Sequence, residues 1–502
     1  MGNEPLLAGL DVGTTNIKAL IFTPDGHVVA QASRPTPTQT PQPGWAHYDP
    51  EALWQTTAAA LREATAGVEA GRIVSVAAAS MGEAAVPLDA HARPLYPAIA
   101  WFDPRTIPQA EWLDRAIGKD RLFAITGLSL QPIFGLCKLL WLKQNEPDVF
   151  ARVVRWLNIS DYIAFRLSGE QATDLSLASR TLALDLAARR WSDAILREAG
   201  VSPDLFAPLA TGGAAIGRVT PEAAHATGLP VSAQVCTGGH DHVCGSLAAG
   251  VIRSGAALNS LGTAETLFMS LAAPLTDLQL GRQGYTQGAH VVPGLYYVFG
   301  SCYTAGGSIE WFKSRCAEGA DYATLIAEAE AVPPGSGGVC FLPHLQLASS
   351  PYDDPGARGA FLGLGLDTTR GALFRAVLEG IACDSRQMIE ALLGYDGVPP
   401  VETIYAIGGL TRNPLLMRIK AAVLNRAFDR TEVSEAASLG AAILGGLGAG
   451  VYADVPAALT AQSRETHHIE PDPELAARYA PVYAAFRQVY PAVSPLHHAL
   501  RG

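Results

Sequence analysis

Leu6-Leu-Ala-Gly-Leu-Asp11-Val-Gly13-Thr14-Thr15-Asn-Ile-Lys18-Ala-Leu-Ile-Phe22 reads as two short apolar strands joined by a Gly-Thr-Thr turn. Pro24-Asp-Gly-His27 is a second turn and Val28-Val-Ala30 a third strand, so the chain opens as an antiparallel meander. Residues 36–43 carry three prolines and predict an extended surface loop. Asp49-Pro50-Glu51 then starts a helix, with Asp as its cap and Pro in its first turn. Leu53, Trp54 and Leu61 give that helix an apolar face, and residues 73–79 form a buried strand. The order strand-strand-strand-helix-strand is narrower than a generic α/β reading, because all-parallel folds do not open on a meander.

The pattern returns in the second half. Gly255-Ala-Ala-Leu-Asn-Ser260-Leu-Gly262-Thr263-Ala-Glu-Thr-Leu-Phe268 is again strand, Gly-Thr turn, strand, and residues 296–300 are a further strand. Residues 368–393 place Leu373, Val377, Ile381, Met388 and Leu392 at helical spacing. Residues 403–407 form a strand ending in Gly408-Gly409, and residues 413–424 and 436–447 read as helices. The chain therefore divides into two similar α/β halves that meet near residues 244–255.

Composition sets outer limits. At about 100–200 residues per domain, 502 residues are too many for one ordinary domain. Apolar residues at 49% and charged residues at 17% supply a large core and exclude a disordered chain. Lys+Arg 36 against Asp+Glu 47 gives a net charge of -11, which argues against a general nucleic-acid binder. Cys137, Cys236, Cys244, Cys302, Cys316, Cys340 and Cys383 are odd in number and nowhere spaced as CxxC, so buried, reduced thiols are expected rather than a disulfide framework or zinc ribbon. Residues 1–8 lack a basic stretch ahead of an apolar one, so no signal peptide is expected. The longest apolar runs, such as residues 436–451, are interrupted and fall short of the roughly 20 residues a membrane span needs. A cytoplasmic protein with no membrane partner is the expectation.

The strongest local motif is Asp11-Val-Gly13-Thr14-Thr15-Asn-Ile-Lys18. Gly13 allows a tight turn and close approach to an anion, and Thr14 and Thr15 offer hydroxyl and N–H donors. Asp11, at a strand end, can hold a hydrated Mg²⁺, and Lys18 can add positive charge. No helix follows the glycine, so this is not the GxxxxGK[ST] loop. An ordinary hairpin with a locally satisfied Asp and Thr is the alternative. Ser260-Leu-Gly262-Thr263 shifts the balance. Two Gly-Thr hairpins, one per half, can grip the phosphates of a nucleotide from both sides of a cleft, and phosphoryl transfer needs mainly positioning and charge neutralisation. Two unrelated turns in a chain with 50 glycines is the alternative.

Thr237-Gly-Gly-His240-Asp241-His242-Val-Cys-Gly245 places a carboxylate in a glycine-rich strand-to-helix transition. A hydroxyl nucleophile needs a base to take its proton as the phosphoryl group arrives, and Asp241 suits that. His240 and His242 flank it and admit a metal reading, and a helix cap is compatible with the base role. Ser80-Met81-Gly82-Glu83 and Ala100-Trp101-Phe-Asp103-Pro-Arg105 each close an apolar run, where acidic side chains commonly face a ligand crevice. Glu83 and Asp103 can accept hydrogen bonds from a polyhydroxylated substrate, with Trp101 as an apolar face. A surface Glu, a local Asp103–Arg105 pair and a core Trp are the alternative. In Ala406-Ile-Gly-Gly409-Leu-Thr-Arg-Asn413 a glycine pair ends a strand and Asn413 opens a helix. Such a turn lets a flat adenine approach the backbone, or is simply a connection.

In this order the motifs resemble those of the FGGY carbohydrate kinases, xylulokinase-like and glycerol kinase-like, within the sugar kinase–Hsp70–actin superfamily. The resemblance runs over residues 6–452. Lys138-Leu-Leu-Trp-Leu-Lys-Gln-Asn-Glu-Pro147 is similar to the family's N-terminal signature, and Pro351-Tyr-Asp-Asp-Pro-Gly-Ala-Arg358-Gly-Ala-Phe-Leu-Gly-Leu364 to another family segment. It implies an α/β fold of two ribonuclease-H-like (actin-like ATPase) domains, residues 1–246 and 247–452, with ATP in the cleft between them and a helical extension over 453–502. It implies ATP and phosphate contacts at Gly13, Thr14, Thr15, Lys18, Gly262, Thr263, Gly306 or Gly307, Gly409 and Asn413, with Mg²⁺ on Asp11 through water. It implies a general base at Asp241 and sugar contacts at Met81, Glu83, Trp101, Asp103, Asp241 and His242.

Xylulokinase-like members carry Gln-Met-His-Gly where this chain has Ser80-Met81-Gly82-Glu83, and glycerol kinases carry Arg-Glu there, of which Glu83 matches half. His242 stands where relatives often carry Asn or Gln. The expected activity is ATP- and Mg²⁺-dependent phosphorylation of a primary hydroxyl of a ketose, a pentulose in first place. A polyol kinase acting on glycerol or erythritol-like substrates is the alternative. A non-catalytic ATP-dependent switch is a third reading, against which the intact Asp11 and Asp241 speak. A homodimer is expected only from the general frequency of twofold assemblies.

Overall fold

β1 (Leu6–Val12) pairs antiparallel with β2 (Asn16–Phe22), and β2 with β3 (Val28–Pro35), forming the expected meander. The register sets Asp11 opposite Lys18 beside the turn. β3 runs past Ala30 because its exposed and half-buried positions alternate along one wet face, so the pairing outlasts the apolar run. In the computed structural model residues 4–500 are described, except 402, 434 and 464. Residues 1–3, part of the stretch read against a signal peptide, lie outside them. Within the proline-rich stretch Thr38–Gln39 pairs with His47–Tyr48, so that loop carries a short ladder. α1 (Pro50–Ala66) is capped by Asp49, whose carboxylate accepts the Ala52 N–H at 2.8 Å. β4 (Ile73–Ser80) returns parallel to β1. β5 (Ala215–Arg218) and β6 (Gln234–His240) complete the sheet, ordered β5-β6-β4-β1-β2-β3, and β6 runs directly into α2 (Asp241–Ala249).

The second half starts with β7 (Ala257–Leu261), β8 (Glu265–Leu271), β9 (Thr286–Ala289) and β10 (Tyr296–Cys302). α3 (Ala305–Cys316) and the long α4 (Arg370–Leu393) follow. Then come β11 (Thr403–Ile407), α5 (Pro414–Leu424), β12 (Ala427–Thr431) and α6 (Ala436–Gly448). β13 (Thr466–Ile469) and α7 (Pro473–Ala499) end the chain's regular structure. The second sheet is ordered β9-β10-β8-β7-β11-β12-β13. Without β9 this is the order of the first sheet: β10, β8 and β7 stand for β3, β2 and β1, and β11, β12 and β13 for β4, β6 and β5. The parallel and antiparallel pairings correspond as well. The recurrence in the sequence is thus one topology used twice.

The halves interlock. α6 packs across β1, β4 and β6 of the first sheet and along α2. A Cβ added at Gly440 would stand 2.0 Å from the Cys244 carbonyl oxygen, so glycine there lets the two helices meet backbone to backbone. A buried cluster joins Leu7, Phe22 and Cys236 of the first sheet to Val243, Leu247 and Ile443 of the helices and to Phe268 and Tyr297 of the second sheet. The extension beyond residue 452 is more than helical. β13 forms an edge of the second sheet, and α7 buries Tyr479, Tyr483, Phe486 and Tyr490 in the second core.

Among the described residues no helix is long and apolar enough to cross a membrane. The seven cysteines form no disulfide. The expectation of buried thiols fails at Cys316, which is exposed at the last position of α3, and Cys340 is half-buried.

Candidate active site

The first Gly-Thr turn closes by the Gly13 N–H donating to the Asn16 carbonyl at 3.1 Å. It is braced from outside. The Thr36 hydroxyl donates to the Gly13 carbonyl at 2.7 Å, and the Trp101 indole N–H to Thr14 Oγ1 at 3.0 Å. Thr15 is exposed, while Asp11 Oδ1 is buried with no hydrogen-bond partner among the described residues. Burial first, then the Asp241 charge, pushes the Asp11 pKa up to about 7 against the pull of Lys18, with Glu435 adding to the rise. These four groups therefore share one cleft. Lys18, expected on phosphate, has its Nζ 2.7 Å from Oε2 of Glu435, the residue just before α6.

β6 passes into α2 without a loop, so Asp241 is the first helical residue and sits at the positive end of the helix dipole. Its Oδ1 accepts the His242 N–H at 2.6 Å. Burial raises its pKa above the ordinary aspartate range, opposed by His242 and helped by the Glu83 charge. A carboxylate so tuned is suited to take up a proton. The flanking histidines do not build a metal set. Their rings stack with centroids 5.5 Å apart, and among the described residues no three His, Cys, Asp or Glu side chains gather to hold an ion. Burial and the nearby Arg180 hold the His240 pKa well below its ordinary value.

Among the residues expected to contact sugar, the Met81 N–H donates to the Val12 carbonyl at 3.1 Å and ties its segment to β1. Glu83 lies buried in the left-handed region with φ 64°. Its Oε1 meets Arg180 Nε at 2.6 Å and Nη2 at 2.5 Å. The buried Arg180 guanidinium lies 5.1 Å from the Phe134 ring centroid and 5.7 Å from that of Phe299. Lys138 is fully buried in the signature helix Gly135–Asn145, donating to the Ile133 carbonyl, and burial lowers its pKa to about 8. His242 is exposed, its ring 6.5 Å from Phe299.

Asp103 departs from the expected sugar contact. Its carboxylate accepts from the Ala46 N–H at 2.6 Å, the Arg105 N–H at 2.9 Å, Arg105 Nε at 2.9 Å and Arg105 Nη2 at 2.6 Å. These fill the roughly four acceptor positions of a carboxylate. Arg105 in turn lies 3.8 Å over the Trp45 ring. Asp103 therefore braces the segment that carries Trp101.

In the second half, the start of α3 is stitched to the second turn: the Gly306 N–H donates to the Gly262 carbonyl at 3.2 Å and the Gly307 N–H to the Thr263 carbonyl at 3.0 Å. Gly262 and Thr263 are exposed. Gly408 and Gly409 help line a cavity of about 700 Å³ with Arg412 and Arg430. Asn413 is buried with its amide engaged inside the protein. Oδ1 accepts the Leu416 N–H at 3.1 Å and Nδ2 donates to the Tyr322 hydroxyl at 3.0 Å. It shapes the wall behind Gly409.

The N-terminal-domain model of the FGGY family of carbohydrate kinases matches residues 6–248, and the C-terminal-domain model matches residues 257–449. The chain belongs to the FGGY family of carbohydrate kinases. This FGGY kinase is 29% identical to xylulose kinase of Bacillus subtilis over 98% of each chain. It is 32% identical to L-fuculokinase of Escherichia coli K12, over 90% of this chain and 94% of that one. The crystal structure of xylulose kinase from Rhodospirillum rubrum is similar with a TM-score of 0.90 at 31% identity, covering 98% of this chain and 100% of that one. The protein is thus a two-domain, actin-like ATPase-fold enzyme that transfers phosphate from ATP to a carbohydrate.

Sequence reasoning missed three residues that shape this candidate site. Arg180 follows the short helix Leu175–Ser179 and nothing near it forms a motif. Glu435 is an ordinary surface-type acid until α6 crosses the first sheet. Lys420 did leave a signal. It is one of six lysines, set in the apolar run 414–424, and the structure buries it fully against Glu265 at 2.8 Å, beneath the second turn.

Proposed function

We propose that this kinase moves the γ-phosphoryl group of ATP to a primary hydroxyl of a small ketose, a pentulose in first place. The observation that carries the reading is the shared cleft of Asp11 and Asp241, carboxylates from β1 and α2 beside the first Gly-Thr turn. There the Asp241 charge raises the proton affinity of Asp11, and burial raises that of both. The similarity to xylulose kinases over nearly the whole chain supports the pentulose. In this reading Asp241 takes the proton of the attacking hydroxyl. Gly13, Thr14, Thr15, Gly262, Thr263, Gly306 and Gly307 offer backbone and hydroxyl donors to the phosphates, and the cavity at Gly409 takes the adenosine. Met81, Glu83, Trp101 and His242 border the sugar.

The residues fit a hydrated Mg²⁺. Asp11 Oδ1 is a buried oxygen without a protein partner, and Mg²⁺ is usually held by one or two carboxylates, its own waters and substrate phosphates. Bound there, the ion would neutralise charge on the transferred phosphate. The proposal assigns residues 1–246 to the sugar and first phosphate segment, 247–452 to the nucleotide and 453–502 to a supporting extension. It places the enzyme in the cytoplasm, where thiols stay reduced, as a homodimer.

An ADP-release assay over pentuloses, hexuloses, glycerol and erythritol tests the reading. Fastest turnover on a pentulose is expected. A second reading, a polyol kinase, is favoured by the Glu83–Arg180 pair, which supplies an acid and a guanidinium together in the sugar pocket. Preference for glycerol or erythritol would establish it in place of the first.

A further inference from the structure

Gly82 is buried, and a Cβ added there would come 2.9 Å from His240 Cδ2 and 3.3 Å from Arg180 Cγ. Two side chains from distant elements thus fill the space beside residue 82. Arg180 makes both of its Glu83 contacts to Oε1, through Nε and Nη2. Its remaining nitrogen, Nη1, is buried with no hydrogen-bond partner among the described residues. The Tyr297 hydroxyl acts on this guanidinium as a neutral hydrogen-bonding neighbour, and His240 Nδ1 is likewise buried without a partner among the described residues. Buried polar atoms are overwhelmingly partnered in folded proteins. A guanidinium nitrogen that meets at most a neutral hydroxyl, beside the unpartnered His240 Nδ1, marks a wall able to take an oxygen-rich ligand.

The position of the wall suits a substrate. Phe299 borders His242, next to Asp241, and also the Arg180 guanidinium. Arg180 and Phe299 then open onto a cavity of about 510 Å³, also walled by Gln131, Thr286 and Asp353. Its charge is balanced. Glu83 offsets Arg180 from behind, and Asp353 stands in the cavity itself, so an anionic group would meet a carboxylate and a guanidinium whose charge is already paired. A neutral polyhydroxylated chain can donate to carboxylate oxygens and accept from Nη1 at once.

We propose that Arg180, held by Glu83, is a specificity-determining residue that binds oxygens of a neutral polyhydroxylated substrate away from the phosphorylated hydroxyl and selects against sugar acids. The proposal rests on the sugar-kinase reading above and deepens it. The test compares the full-length wild type with Arg180→Lys, which keeps the charge and loses the fork. Acceptors are D-xylulose, D-ribulose, D-fructose, erythritol, glycerol and D-gluconate. For the acceptor the wild type prefers, Arg180→Lys is expected to raise KM about ten- to hundred-fold, the size of one lost hydrogen bond to a charged group. The KM for ATP should stay in place, which also shows that the variant is folded. D-gluconate should be the poorest acceptor of the wild type, a result that needs no variant. An unchanged acceptor KM, or a preference for D-gluconate, would overturn the proposal. Preference for glycerol or erythritol would remove the ketose reading alone, with Arg180 then judged by the same KM comparison on that polyol.

Discussion

Lys18 Nζ and Glu435 Oε2 stand 2.7 Å apart, joining β2 of the first sheet to the residue that opens α6. Asp11 faces Lys18 across the β1–β2 ladder, so after burial and the Asp241 charge this pair is the next influence on Asp11, Lys18 lowering its pKa and Glu435 raising it. The Asp11 pKa rises from the ordinary aspartate value of about 4 to about 7. Between these values the folded protein holds a proton that the unfolded chain has lost. The Asp11 contribution to stability therefore falls as pH rises through that window. In the proposed reading Mg²⁺ binds the ionised Asp11 carboxylate, and its affinity would then rise over the same window.

The kcat/KM for MgATP should accordingly climb with pH to a midpoint near the Asp11 value of about 7. Glu435→Gln removes a negative neighbour and should move the midpoint down, and Lys18→Met should move it up. Rate profiles at saturating sugar read both shifts. Midpoints that stay fixed in both variants would detach Asp11 from this limb.

Asp241→Ala should lower sugar-dependent ADP release by about 10²–10⁴-fold, the range of a lost general base. The Asp241 carboxylate is bonded to the adjacent His242 N–H, so ATP binding should persist. Nucleotide titration followed by Trp fluorescence, alongside the coupled assay, separates the two effects. Full turnover in this variant would exclude the base role.

What was legible in the sequence followed from local rules. The meander, the Asp49 cap and the two Gly-Thr turns each depend on residues within a few positions of one another, and each stands where expected. What was not legible depends on long-range contacts. Glu435 reaches Lys18, and Arg180 reaches Glu83, only because segments far apart in the chain meet in space. Asp103 shows the other limit. An acid at a strand end reads as a ligand contact until its acceptor positions are counted, and Arg105, two residues on, takes three of the four hydrogen bonds.

Lys420 and Glu265 are both fully buried, and Glu265 Oε1 also accepts from Ser385 Oγ at 2.6 Å and Asn259 Nδ2 at 2.8 Å. Lys420→Met would leave that carboxylate uncompensated, at a cost of about 3–5 kcal/mol. Pairing it with Glu265→Gln should recover part of the loss. Glu265 is the first residue of β8 after the Gly262-Thr263 turn, so the single variant should also raise the KM for ATP more than that for sugar. Denaturant midpoints and the two KM values check both statements, and an additive double variant would show that the two residues act independently.

The α2–α6 crossing carries Asp241 at the start of one helix and Glu435 just before the other. Gly440→Ala would put a methyl group 2.0 Å from the Cys244 carbonyl oxygen, which is backbone and has little room to yield. The helices must part, at about 1–3 kcal/mol for such overpacking, and both cleft carboxylates move with them. Gly440→Ala should therefore lower the unfolding midpoint and shift the pH profile assigned to Asp11. Gly71→Ala is the control, because an added Cβ there meets nothing within 4 Å among the described residues. A Gly440→Ala enzyme that is destabilised but keeps the wild-type pH profile would show that the crossing supports the fold without setting the geometry of the cleft.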